Sequence, residues 1–134
     1  MAVALAAFAL APGGAWGQGY PAEPLFRTEQ SIVGERLAYP PGQAEVDAAI
    51  VTLAPGETTV RHRHGVPFFA YILQGEITVD YGAHGKRVYR QGDAFMEAME
   101  VAHAGTNTGT VPVRILAVYM GAKGAANVIV APAP

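Results

Sequence analysis

Two histidines spaced two residues apart are the side chains in this sequence most able to do chemistry. His62 and His64 lie in a run of strand-like composition between Gly56 and Gly75. Because side chains alternate between the two faces of a β-strand, residues two apart leave the same face and can converge on one point. Neutral imidazole is an adaptable ligand for divalent transition metals. The pair therefore predicts a metal ion at the point of convergence.

The sequence around this pair resembles the first motif of the cupin superfamily. That motif is a Gly, a His-x-His pair, a Glu and a second Gly at fixed spacing, and the matching residues here are Gly56, His62, His64 and Gly75. Phe68 stands where cupins have the Glu. A second motif follows in the expected order, with matches at Gly92, His103 and Asn107, and with Ala98 and Glu100 in place of its usual Pro and Gly. The resemblance covers roughly Val46 to Met120 and implies a double-stranded β-helix, a jelly-roll barrel of two antiparallel sheets.

The resemblance also implies a metal site at the mouth of the barrel, formed by His62, His64 and His103. In cupins the Glu that Phe68 replaces supplies a fourth ligand, so the site here is expected to be poorer in negative charge and more open. Three imidazoles suit divalent Fe, Mn, Zn, Ni or Cu, and the sequence does not distinguish among these ions. The alternative is a cupin that has lost its metal and kept the fold.

Two carboxylates are candidates to compensate for the missing ligand. Glu97 lies in an apolar strand segment, where an isolated carboxylate is costly unless it has a partner. Glu100 lies in the loop before His103. Either could reach the ion or accept a proton beside it, and we expect Glu97 to be the catalytic residue. The alternative for Glu97 is an outward-facing, solvated side chain.

Four further side chains are candidates for the wall of a substrate pocket: Phe68, Tyr71, Met96 and Tyr119. Phe68 would make one wall apolar and able to contact a ring or an alkyl group. For the other three, ordinary packing in the core is the commoner alternative, because apolar strand residues are usually core residues.

Short apolar segments separated by turns predict the strands that must position these residues. Among them are Val46–Leu53, Phe68–Leu73, Glu76–Tyr81 and Val113–Met120. With 16 Gly and 10 Pro in 134 residues and no segment of helical period, the sequence indicates an all-β sandwich or barrel. Gln74-Gly75 predicts a tight hairpin turn, and Val113–Met120 predicts a buried closing strand.

Composition excludes several classes of function. The absence of Cys rules out a disulfide framework, a thiolate metal site and a Cys nucleophile. The net charge of −2, with scattered Lys and Arg, gives no basic surface for nucleic acid or for an anionic membrane.

The ends of the chain differ from its centre. Ala2 to Ala11 is a run of small and apolar residues, and small residues at Ala15 and Gly17 predict a secretory signal peptide over residues 1–17. The alternative is a buried N-terminal helix or an uncleaved anchor. We expect a tether at 18–34, the cupin domain at 35–122 and a tail at 123–134 for which the sequence predicts no structure. Removal of the signal peptide would place the mature protein in the periplasm or outside the cell.

Two functions are consistent with these expectations. The first is a metal-dependent enzyme, an oxygenase or a lyase or isomerase, acting on a small oxygenated organic molecule. The second is a non-catalytic periplasmic protein that binds a small ligand or a metal. An inward-facing Glu97 would favour the enzyme. The resemblance further implies a homodimer formed through sheet edges, which would also protect those edges.

Overall fold

The structure, a computed structural model, describes residues 21–132, and its regular structure in that range is almost entirely β-strand. The strands in chain order are β1 (Ala44–Leu53), β2 (His62–Arg63), β3 (Phe68–Gln74), β4 (Glu76–Asp80), β5 (Lys86–Arg90), β6 (Ala94–Met96), β7 (Ala104–Thr106), β8 (Val113–Ala122) and β9 (Ile129–Val130). A short 3-10 turn, Gly82–His84, connects β4 to β5. The all-β prediction is confirmed.

Two antiparallel sheets enclose the hydrophobic core. The first has the strand order β1-β8-β3-β6 and the second β5-β4-β7, while β2 and β9 form a separate two-stranded ribbon. Alternate residues of each strand point into the space between the sheets, as Phe68, Ala70 and Ile72 do from β3. Ile77 and Val79 of β4 meet them from the second sheet. This arrangement agrees with the predicted jelly roll.

The turn at Gln74-Gly75 does not form the predicted hairpin. β3 and β4 belong to different sheets, and the pairing of β3 with β8 shifts register between Ile72 and Gln74. Gly75 has φ of 79°, and a Cβ atom there would lie 2.9 Å from the Pro112 carbonyl oxygen. The turn therefore takes the chain around a corner from one sheet to the other, and the hairpin prediction was wrong.

The closing strand was predicted correctly and proves to be central. β8 lies between β1 and β3, in register with both over most of its length. Its inward residues Val113, Ile115 and Ala117 belong to the core. The strand therefore joins the exposed edge strand β1 to the strand that carries Phe68.

Both ends of the described chain contact the domain. Phe26 stacks on Phe69 with ring centroids 5.8 Å apart, and the Ile32 N–H donates to the Met96 carbonyl at 2.8 Å. At the other end β9 pairs with β2, so the tail contributes structure beside His62. The predicted signal peptide, residues 1–17, lies outside the described residues. Within residues 21–132, no helix has the length and apolar character needed to span a membrane.

Candidate metal centre

His62 and His103 lie opposite each other in an isolated antiparallel bridge. The His62 N–H donates to the His103 carbonyl at 2.9 Å, and the His103 N–H donates to the His62 carbonyl at 2.8 Å. Directly paired residues project from the same face of the strands, and the two ring centroids are 4.7 Å apart. The fold thus brings His103 beside the His62 and His64 pair.

A hydrogen bond at Nδ1 orients all three imidazole rings. In each case the partner is a backbone carbonyl: Val60 for His62 at 2.7 Å, Val101 for His103 at 2.8 Å and Asn127 for His64 at 2.9 Å. Because a carbonyl oxygen can only accept, each Nδ1 carries the proton and each Nε2 keeps a free lone pair. Histidines that bind metals in proteins are commonly oriented by a bond of this kind.

The three imidazoles offer ligand atoms that lie within 4.8 Å of one another. Nε2 of His64 is buried and has no hydrogen-bond partner among the described residues, an arrangement that costs free energy unless something binds there. Burial lowers the pKa of all three side chains, and that of His64 falls to about 3. Neutral nitrogen donors with free lone pairs fit a divalent transition metal, so these residues could hold one.

Glu97 projects into the same space from the strand next to β3. Its N–H donates to the Phe68 carbonyl at 2.8 Å, one residue beyond the Phe69–Met96 pair of β3 and β6. Glu97 and Phe68 therefore lie opposite each other and share a face. Glu97 is only 4% exposed, and its Oε2 lies 3.8 Å from Nε2 of His103. A carboxyl group thus stands beside the histidines even though residue 68 is Phe.

Two buried tyrosines complete the polar surroundings of Glu97. The Tyr81 hydroxyl faces the Glu97 carboxyl group and acts to lower its pKa, and it lies 3.0 Å from the Tyr89 hydroxyl. The Ala98 N–H donates to Oε1 of Glu97 at 2.7 Å. Burial raises the pKa of Glu97 to about 7, although the Tyr81 hydroxyl and the Ala98 N–H oppose that rise. A carboxyl group with this pKa can accept or release a proton near neutral pH.

The raised pKa of Glu97 predicts how the stability of the metal-free protein depends on pH. The carboxyl group titrates near pH 7 in the folded chain and near its ordinary value of 4.5 when unfolded, so the folded state binds more protons between these values. The stability that Glu97 contributes is present below pH 4.5 and is lost as the pH rises through 7.

We expect Glu97→Gln to remove this loss of folding stability at high pH, which amounts to about 3 kcal/mol for the pKa shift of Glu97. The measurement is urea unfolding of both metal-free proteins at pH 5 and pH 8. The variant should gain stability relative to the parent at the higher pH. The matched control is Glu100→Gln on the exposed loop. An identical pH response in parent and Glu97→Gln would show that Glu97 does not titrate near neutrality.

The three histidines and Glu97 line a cavity of about 250 Å³. Its wall is mainly apolar and includes Val51, Phe68, Ile77, Val79, Ile115, Tyr119 and Val128. Among the described residues that line it, Glu97 is the only acid and none is Lys or Arg. The Phe68 ring stacks on Tyr119 and meets His64 edge to face, with ring centroids 4.6 Å apart in each pair. An aromatic surface therefore adjoins the three nitrogen donors.

Two of the predicted pocket residues lie on the other side of the sheet. Tyr71 alternates with the inward residues Ala70 and Ile72, and Met96 pairs with the outward residue Phe69. Met96 lines a separate surface groove instead. The placement of Tyr71 and Met96 in the cavity wall was wrong, whereas Phe68 and Tyr119 line it.

Glu100 does not enter the cavity. Its carboxylate pairs with Arg63 at 2.8 Å, and its side chain is 71% exposed. Of the two carboxylates predicted to stand near the histidines, the structure places only Glu97 there. Tyr81 was not among the site residues predicted from the sequence, although its place at the end of the alternating series Ile77, Val79, Tyr81 indicates an inward-facing side chain.

Comparison with known families settles the class of this fold. Residues 49–119, more than half of the chain, match the family model described as the cupin domain. The chain belongs to the cupin family. No protein with a curated description matches this cupin significantly.

Solved structures similar to this cupin include enzymes that act on oxalate. An oxalate decarboxylase of Lactobacillus farciminis in complex with formate is 25% identical with a TM-score of 0.55, over 66% of this chain and 27% of that one. An oxalate oxidase is 25% identical with a TM-score of 0.50, over 57% and 42% of the two chains. A mutant of the Bacillus subtilis oxalate decarboxylase is 22% identical with a TM-score of 0.52, over 63% and 23%. This cupin thus spans less than half the length of each of these proteins.

Proposed function

We propose that this cupin is a metal-dependent enzyme that moves a proton on a small oxygenated organic molecule, a reaction of the lyase or isomerase type. The observation that supports this most strongly is the placement of Glu97. It is a buried carboxyl group with a pKa of about 7, and its Oε2 is 3.8 Å from Nε2 of His103. A carboxyl group that titrates near neutral pH beside the three nitrogen donors is placed to exchange a proton with a molecule bound in the cavity.

The three histidines would hold the metal through their Nε2 atoms. A divalent ion bound there would polarise a carbonyl or carboxylate oxygen of the substrate. Glu97 would accept the proton from the carbon next to that carbonyl. The electron pair of the broken C–H bond would form a carbon–carbon double bond, and the π pair of the carbonyl would move to its oxygen. Return of the proton from Glu97 to a different atom would complete an isomerisation. In an elimination the carbonyl would re-form, the leaving group would depart with its bonding electron pair, and Glu97 would return the proton to that group. The Ala98 N–H, which donates to Oε1 of Glu97 at 2.7 Å, would keep the carboxyl group in place.

The wall of the cavity favours one class of substrate. Without Lys or Arg among its described lining residues, it offers little to stabilise a second anionic group such as the far carboxylate of oxalate or a phosphate. Phe68, Tyr119 and the aliphatic residues instead suit a ring or an alkyl chain. We propose a substrate with one oxygen-bearing head group and an apolar body, in contrast to the oxalate of the similar enzymes.

Deuterium exchange tests this proposal. The Zn(II)-loaded and Mn(II)-loaded proteins are incubated in D₂O with α-keto acids that carry alkyl or phenyl tails, and with oxalate and a sugar phosphate as binding competitors. We expect protein-catalysed exchange at the carbon next to the carbonyl, and a loss of about 10²- to 10⁴-fold in Glu97→Gln. Glu100→Gln, which makes the same change outside the cavity, is the control.

Three other outcomes would point to a different function or substrate class. Tight binding of the apolar keto acids without exchange in any metal form would identify a non-catalytic binding protein. Consumption of O₂ by the Fe(II)-loaded protein that depends on the organic substrate and yields an oxygenated product would identify an oxygenase. Preference for oxalate over the apolar acids would contradict the proposed substrate class.

We also propose that the protein is exported, because the run from Ala2 to Ala11 and the small residues before Gln18 are typical of a cleaved signal peptide. Mass spectrometry of the native protein would then find Gln18 at its N-terminus. An intact Met1 in a cytoplasmic fraction would contradict export.

A homodimer formed through β1 is part of the proposal. β1 is an edge strand of ten residues, and Val46 and Ile50 on it are 64% and 46% exposed. A long apolar edge favours pairing with another strand. Light scattering should give the mass of a dimer for the parent protein and of a monomer for Val46→Lys; a monomeric parent would contradict the proposal.

A further inference from the structure

Glu35 lies in the segment before β1, far along the chain from the metal centre, yet its carboxylate contacts the loop that carries His103. Oε1 accepts the N–H groups of Glu100 and Val101, both at 2.8 Å. Oε2 accepts the Met99 N–H at 2.7 Å and the Ser31 hydroxyl at 2.8 Å. Three consecutive backbone donors on one carboxylate are a fixed anchor, because each bond to an ionised acceptor is roughly twice as strong as a neutral one.

The anchored loop in turn orients the histidine. Val101 donates its N–H to Glu35, and its carbonyl accepts the bond from Nδ1 of His103 at 2.8 Å. That bond fixes both the tautomer and the rotation of the ring, and so the direction in which Nε2 points. On the other side of the loop, Arg61 donates to the Ala102 carbonyl at 2.7 Å. The residues before His103 are thus held from both sides.

We propose that Glu35 is a positioning residue for the metal centre, which sets the orientation of His103 through the backbone of residues 99–101. This inference rests on the proposed metal site but not on the proposed reaction. It assigns a function to the segment before the barrel. Residues 18–34 of that segment were expected from the sequence to be a tether. Ser31 and Glu35 then support the site from outside the barrel.

The charge on Glu35 supports the same conclusion. Burial acts to raise its pKa, but the bonds from Met99, Ser31, Val101 and Glu100 outweigh it and lower the pKa below the ordinary value, so the group is ionised at neutral pH. An ionised carboxylate is a stronger acceptor than a neutral group for the N–H groups of Met99, Glu100 and Val101, so the charge strengthens the anchor.

Glu35→Gln is the variant of choice, because the amide keeps the size of the side chain and loses both the charge and one acceptor oxygen. Its NH₂ group would face backbone N–H donors, which cannot accept a hydrogen bond. Glu29→Gln is the matched control, since Glu29 is exposed on the same segment. Affinity is measured by competition of a chromophoric chelator for Zn(II), and ligand geometry by the visible spectrum of the Co(II)-loaded protein. Melting of the metal-free proteins is recorded separately.

We expect Glu35→Gln to weaken Zn(II) binding by about 10- to 100-fold, the usual effect of removing an outer partner of a metal ligand. The Co(II) spectrum should change, while Glu29→Gln should match the parent in both measurements. A lower melting temperature with unchanged Zn(II) affinity and Co(II) spectrum would overturn the proposal, since Glu35 would then serve stability alone.

Ser31→Ala keeps the test decisive if Glu35→Gln does not fold. This variant leaves the carboxylate in place and removes only the hydroxyl that holds Oε2, so a smaller loss of Zn(II) affinity in the same direction is expected. Unchanged affinity in a folded Ser31→Ala together with an unfolded Glu35→Gln would overturn the proposal. If the parent protein binds neither Zn(II) nor Co(II), the proposed metal site fails and this inference with it. If the parent binds Zn(II) and the Glu35 and Ser31 variants bind it equally well, this inference fails while the metal site and the proposed function stand.

Discussion

His103→Ala is expected to abolish tight metal binding while the fold persists. The bridge between His62 and His103 is made by backbone atoms, so alanine retains both of its hydrogen bonds. What is lost is one of three nitrogen donors, and the effect should exceed the 10- to 100-fold typical of removing an outer partner of a ligand. Chelator competition with Zn(II) measures the loss, and circular dichroism of the metal-free protein checks the fold.

His84→Ala is the matched control for this experiment. His84 is exposed in the 3-10 turn between β4 and β5, so its removal should leave Zn(II) affinity unchanged. A full metal complement in His103→Ala would exclude His103 as a ligand and contradict the assignment of the site.

Phe68→Glu is expected to make the stability of the protein strongly dependent on metal. The new carboxylate would lie opposite Glu97 in a buried site, where two like charges repel and an unpaired charge costs several kcal/mol. The variant would also lose the contacts of the Phe68 ring with Tyr119 and His64. The metal-free variant should therefore melt well below the parent. Bound metal should raise the melting temperature of the variant more than that of the parent, because the new carboxylate would occupy the place of the fourth cupin ligand and tighten metal binding.

Two further variants isolate these effects. Phe68→Glu with Glu97→Gln removes the repulsion and should recover much of the metal-free stability while keeping the gain in affinity. Phe69→Glu makes the same substitution one residue along, on the outer face of the sheet, and should leave metal affinity unchanged. Melting curves with and without Zn(II) measure the stability of each variant, and Zn(II) titrations measure its metal affinity. Equal Zn(II) affinity in Phe68→Glu and the parent would show that residue 68 does not face the ion.

The parts of the site that the sequence predicted well depend on local spacing. His62 and His64 share a face because side chains alternate along a strand. Glu97 was preferred to Glu100 because a carboxylate in an apolar segment needs a partner, but the sequence left an outward-facing Glu97 equally open. The assignment of His103 came from the order and spacing of a second motif. These rules need no knowledge of which strands pair.

The sequence-based predictions were wrong where strand pairing and register determine which way a side chain or a turn faces. In Phe68–Leu73 every residue is apolar, so alternation gives no information on which side chains face inward, and Tyr71 was placed on the wrong face. A Gln-Gly turn can close a hairpin or turn a corner between sheets, and long-range contacts with Pro112 and Val113 select the corner.

Other parts of the site depend on residues that are distant in sequence. The carbonyl that orients His64 belongs to Asn127, 63 residues away, and the donors to Glu35 are 64 to 66 residues away. Local pattern carries no signal for such contacts. For this reason the tail and the segment before β1 were not recognised as parts of the metal centre.

Anomalous diffraction from crystals of the Zn(II)-loaded protein tests the central claim most directly. We expect one strong anomalous peak per chain, at about 2.0 to 2.1 Å from Nε2 of His62, His64 and His103, the usual distance from Zn to a histidine nitrogen. Positions open to a substrate should face the cavity beside Phe68. A peak bound through Nδ1 or through surface residues, or no peak between the three rings at saturating Zn(II), would contradict it.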